Sequence, residues 1–191
     1  MQFLDHSLPG HSSPGHSVIG HHRAMATYNA FANARLHEAC RRLSDREFAL
    51  PRTSFFPSLQ LTLNHILLVD RFYLMGLEGA VPDYSVFADK VPYATMALLG
   101  PAQRDLDLRL TAFCEGLDAA GLERAVILDR GPEGVHRETV ATVLPHLFVH
   151  QIHHRGQATA MLAGSRVSGP QLDEFFLMAD WPARDRELGV A

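Results

Sequence analysis

The chain has 191 residues, which fits one domain, and its 47% hydrophobic and 20% charged residues are the balance of an ordinary globular protein. A net charge of −4 without any basic run argues against a nucleic-acid partner. No stretch approaches about 18 uninterrupted apolar residues, and the first residues lack a basic-then-apolar leader, so neither a membrane span nor a secretory signal is expected.

In chain order, residues 1–22 come first. "HSLPGHSSPGHSVIGH" spaces His6, His11, His16 and His21 five residues apart among Gly, Pro and Ser. It has neither a helical nor a strand period, which predicts a disordered tail over 1–22. From Arg23 the pattern changes. Tyr28, Phe31, Ala32, Leu36, Ala39, Cys40 and Leu43 recur at steps of three and four, the mark of an amphipathic helix of about 20 residues. Pro51 and Pro57 break it. A second helix is predicted over 58–77, with Leu61, His65, Leu68, Val69 and Phe72 on one face and Gly76 and Gly79 at its end. Residues 80–100, with Pro82, Pro92 and Gly100, read as mostly loop with room for one short turn of helix.

A third helix is predicted over 102–120, with Leu106, Leu110, Phe113 and Leu117 inward and Gly121 after it. "AVILDRGPEGV" reads as a short hairpin or irregular excursion. A fourth helix is predicted over 138–163. Pro145 falls inside it, so it either kinks or begins there, and Gly164 closes it. "LDEFFLMADW" is a short apolar segment suited to padding the bundle. The expected fold class is all-α, a four-helix bundle over 23–191. Tyr28, Phe31, Phe72 and Phe113 suit either the core or a face covered by a partner. Cys40 and Cys114, far apart and in no CxxC, read as buried free thiols in a reducing cytoplasm.

The chemistry concentrates in "HLFVHQIHHR", residues 146–155, which carries four histidines and no carboxylate. At roughly 100° per residue, His150 lies about 40° from His146, His153 about −20° and His154 about 80°, all on one helical face. Gln157 and Met161 continue that face. His150 and His154, one turn apart, direct two imidazoles at a common point. A stable site needs a third ligand, and His65 on the inward face of the second helix is the candidate. Three histidines leave one coordination position open, the arrangement of a catalytic rather than a structural metal site. The pair of helices should then face each other, with ring nitrogens of His65 and His150 within roughly 4–5 Å. His146 and His153 read as supporting residues. HExxH, GxSxG and phosphate-loop motifs are absent.

"MATYNAFANARLHEACRRLSD", "SFFPSLQLTLNHILLVDRFYLMGLEG" and "LPHLFVHQIHHRGQATAML", in that order and spacing, resemble the DinB-like family of damage-inducible-type bacterial proteins. The resemblance covers about residues 23–178. It implies an up-down-down-up four-helix bundle, often a homodimer, with one divalent metal ion, commonly nickel or zinc. The implied ligands are His65, His150 and His154. Some relatives move small-molecule thiols such as mycothiol, bacillithiol or glutathione onto electrophiles, and others isomerise maleylpyruvate. The chain departs from the family pattern at Val149 and Ile152, where the family resembles Asn and Thr, so two polar groups near the site are expected to be missing. A metal-dependent thiol transferase is the leading expectation. A non-catalytic metal-binding module and a metal-dependent hydrolase use the same histidines. No catalytic base is identified, His153 being the weak candidate.

Overall fold

The structure, a computed structural model, describes residues 17–189. Four long helices form the bundle: α1 (Val18–Arg41), α3 (Leu59–Leu77), α4 (Met96–Glu115) and α6 (Val140–Ala163). Shorter α2 (Asp45–Ala49), α5 (Ala119–Glu123) and α7 (Trp181–Leu188) decorate it. α1 packs on α4 and α6, and α3 packs on the same two, so α3 and α6 are neighbours. Leu36, Leu63, Leu67, Leu99, Leu144 and Leu147 lie at the centre of the core, essentially inaccessible to solvent. Among the described residues no helix is long and apolar enough to cross a membrane.

Three boundaries differ from expectation. α1 begins five residues early: Ser17 is its N-cap, the hydroxyl accepting from the Gly20 N–H at 3.0 Å. His22 is buried, its ring stacked near Phe148. Of the expected tail over 1–22, residues 18–22 are helical, and residues 1–16, most of the repeat, lie outside the described residues. The histidine repeat runs into the helix and hides its period. The third bundle helix starts at Met96, not 102, and ends at Glu115. Pro101 and Pro145 each sit at the sixth position of their helix. So near an N-terminus a proline forfeits a single backbone bond, here to Ala97 or Ala141. Burial of Met96 and Leu99, and of Val140, Val143 and Leu144, holds those first turns in place.

The hairpin expectation holds: β1 (Ala125–Asp129) pairs antiparallel with β2 (Val135–Thr139), Ile127 opposite Arg137. It lies on α3 at Gly76, where an added Cβ would come within 2.9 Å of both Val126 and Leu128 side chains. Its turn rests on Tyr84. Gly131 has φ +60°, and a Cβ there would lie 2.7 Å from the Tyr84 ring. Gly131→Ala should thus cost about 1–2 kcal/mol from the left-handed backbone alone, with crowding against Tyr84 in addition. Thermal unfolding should show a midpoint lower by at least a few degrees.

Tyr28, Phe31 and Phe72 are buried in the core, and Phe113, partly buried, packs against it. Phe175, from the apolar segment near the C-terminus, packs its ring on Tyr28 and Phe31 as expected of padding. Cys40 and Cys114 are free and buried, and burial pushes each thiol up to about 12. Neither is a nucleophile at neutral pH.

Candidate metal centre

α3 presents His65 and α6 presents His150 and His154 across the interface between the two helices. The Nε2 atoms of His65 and His150 are 3.0 Å apart. Ring centroids lie 5.0 Å apart for His65 and His150, 4.7 Å for His65 and His154, and 4.4 Å for His150 and His154. One nitrogen from each of the three lies within 4.8 Å of the others, so three histidines stand close enough to share a metal ion. The pairing derived from separate helical faces is what the bundle brings together.

The site is electrically suited to a cation. Burial and the neighbouring imidazoles push His150 down to about 3, and burial followed by His154 pushes His65 down to about 4. His154 is lowered as well, chiefly by burial. All three rings are neutral near pH 7, with lone pairs available. His150 Nδ1 is buried and has no hydrogen-bond partner among the described residues. Its Nε2 shares a hydrogen bond with the Nε2 of His65, one ring donating and the other accepting.

The other two clustered histidines are separated by where neighbouring helices lie. His153 is exposed, and its Nε2 meets the Gln157 amide nitrogen at 3.0 Å. The same amide's oxygen accepts from His154 Nδ1 at 2.9 Å, which turns His154 Nε2 inward. Gln157 therefore orients His154, and His153 supports Gln157. His146 stacks edge-on against Tyr73 at 5.2 Å, one turn before His150. Since His65 faces His150 and His154 while Tyr73 faces His146, α3 and α6 run antiparallel. Val149 and Ile152 are 66% and 45% exposed. They stand on the outer side of α6, so the polar groups expected to be missing there are missing from the surface, and Gln157 supplies the hydrogen bond that His154 makes.

Asn64 lies fully buried beside His65. Its amide donates to the Gln60 and Tyr93 carbonyls at 2.9 and 2.8 Å, and its oxygen accepts from the Tyr93 N–H at 3.0 Å. It clamps the segment before α4 onto α3. Asn64→Ala should leave the Tyr93 peptide without these partners and cost about 2 kcal/mol. Urea denaturation should record the loss, and limited proteolysis should cut residues 86–95 faster.

A cavity of about 440 Å³ opens beside the histidines. Phe56 covers the near end, its ring 4.4 Å from that of His65 and 5.6 Å from that of His154. Leu68, Phe72 and Phe87 form an apolar wall, and Tyr73 and His146 close the far end. His153 does not line it. Phe56 and the Asn64–Tyr93 clamp were not singled out in the sequence. The only local signal was an aromatic pair, "FF", in a proline-bounded loop.

A helical bundle with three neutral histidines gathered at one end of an apolar cavity defines a class of compact, metal-capable helical proteins. The DinB family model matches residues 17–180, and the chain belongs to the DinB family. It is similar to Protein DinB of Bacillus subtilis (strain 168), with 28% identity over 140 residues, 71% of this chain and 80% of that protein.

Proposed function

We propose that His65, His150 and His154 hold one divalent ion, nickel or zinc, and that the protein transfers a low-molecular-weight thiol to an electrophile bound in the adjoining cavity. The observation that carries this reading is the convergence of one ring nitrogen from each of three histidines beside the cavity that they line. Two nitrogens on a tetrahedral zinc with bonds of 2.0–2.1 Å are separated by about 3.3 Å. The 3.0 Å between His65 and His150 is close to that value. Three ligands leave a coordination position for an external group.

When bound, the ion supplies a Lewis acid that lowers the pKa of a thiol held against it. The chain contributes the rest. Gln157 fixes the ring of His154, Phe56 covers the histidines, and Phe72 and Phe87 keep water from the electrophile. Because Cys40 and Cys114 are buried and protonated, the reacting thiol comes from solution.

Metal analysis of the purified protein, followed by a panel of small thiols with a generic electrophile, tests the reading. Metal-dependent consumption of one thiol supports transfer. A stoichiometric metal protein inert to every thiol points instead to a non-catalytic metal-binding module. We further propose a homodimer built on the exposed apolar side of α6, Val149 and Ile152. Sedimentation at the monomer mass at every concentration would remove it.

A further inference from the structure

Lys90 is the only lysine among the 191 residues of the chain. It lines the cavity, and so does Arg130 from the end of β1. No Asp or Glu lines it. In a chain of net charge −4, the cavity thus carries two cations and no anion. Its floor is apolar and aromatic, which gives it two chemistries side by side.

The backbone segments that carry the two cations are anchored. Lys90 sits three residues before Tyr93, whose backbone is clamped on both sides by buried Asn64. Arg130 sits in the hairpin turn whose Gly131 rests on the Tyr84 ring. Tyr84 in turn packs on Phe87, and Phe87 on Phe72 of α3. The 84–93 segment and the hairpin turn therefore form one rim. Lys90 is exposed and makes no ion pair among the described residues. Arg130 pairs with Glu133 at 3.0 Å, the two side chains 41% and 64% exposed, a weak contact that a ligand carboxylate can replace. From His65 to Tyr73, α3 advances about 12 Å along the cavity. A ligand anchored at Arg130 by one end thus reaches the histidines with the other.

We propose that the cavity takes an anionic ligand with an aryl or alkyl body, its carboxylate held at the rim by Lys90 and Arg130 and its apolar body lying on Phe72 and Phe87. In naming the class of electrophile the protein acts on, this rests on the reading of the histidines as a metal centre. As a binding site it stands on the rim alone. Charge-assisted hydrogen bonds of this kind are the strong ones. Discrimination against a neutral isostere follows.

The test uses 4-phenylbutyrate and its uncharged amide, titrated calorimetrically into the full chain, both zinc-loaded and metal-stripped. The acid should bind at least about tenfold tighter than the amide in both forms. Lys90→Gln and Arg130→Gln should each lower that preference several-fold, and the double variant should abolish it with amide binding unchanged. Acylation of Lys90, the sole lysine, should slow with the acid present and not with the amide. A preference seen only with zinc and indifferent to both substitutions places the carboxylate on the ion: the rim proposal is overturned and the metal reading survives. A rim-dependent preference in a protein that takes up no zinc leaves the anion site standing and removes the metal reading. Equal binding of acid and amide, or binding of neither, overturns the proposal.

Discussion

Replacing His65, His150 or His154 by Ala should each abolish stoichiometric nickel or zinc, while His146→Ala should leave it bound. The three come from two helices, and one ring nitrogen from each lies within 4.8 Å of the others. Removing one leaves two nitrogens, too few for a stable site on either helix. His146 lies a turn away and is engaged with Tyr73. His153→Ala and Gln157→Ala should weaken metal affinity by about 10–100-fold, the usual effect of losing a residue that orients a ligand. Gln157 carries the larger share, since it touches His154 directly at 2.9 Å. Metal analysis of the six variants after dialysis decides this. Loss of the ion in His146→Ala with retention in His154→Ala would place the site one turn earlier on α6 and overturn the assignment.

Arg155→Met should reduce stability by about 3–5 kcal/mol, a large share of the roughly 5–15 kcal/mol typical of a domain. Arg155 follows His154, yet its side chain turns the other way, into the core, and is only 1% exposed. It donates to the Asn33 and Gln151 side-chain oxygens at 3.0 and 3.2 Å and also to Asn29. Asn33 donates to Asp107 at 2.9 Å, and Gln103 donates to Asp70 at 2.6 Å and to Asp107 at 3.2 Å. α1, α3, α4 and α6 each contribute to this one buried network.

Removing the guanidinium leaves two buried carboxyl groups without a cation. Burial already pushes Asp70 and Asp107 up to about 7. Between about pH 3.8 and 7 the folded chain therefore holds protons at these groups that the unfolded chain releases. Their contribution to stability falls as pH rises through that window. Without Arg155 the carboxyl groups rise further, so the defect should be larger at pH 8 than at pH 5.5. Urea denaturation of the metal-stripped variant and parent at both values gives the comparison. A pH-independent difference would show that the guanidinium acts there by packing alone.

The four bundle helices were legible because their buried faces repeat every three or four residues, a pattern that depends on neighbours along the chain alone. The candidate histidines were legible for the same reason. His150 and His154 share a face by spacing, and His65 stands out as the polar residue in an apolar stripe. The sequence determined these faces and the short hairpin at "AVILDRGPEGV". It misjudged helix starts at Val18 and Met96, where a histidine repeat and Pro101 obscure the period. Burial of the first turn, a tertiary effect, decides those ends. Which of the four clustered histidines turn inward was settled by the position of α3, since a helical wheel says which residues share a face and not how much of it a neighbour covers. The cavity with Lys90 and Arg130, and the network around Arg155, likewise exist only in the tertiary structure. Their members lie tens of residues apart and follow no local period, so packing of the bundle is what brings them together.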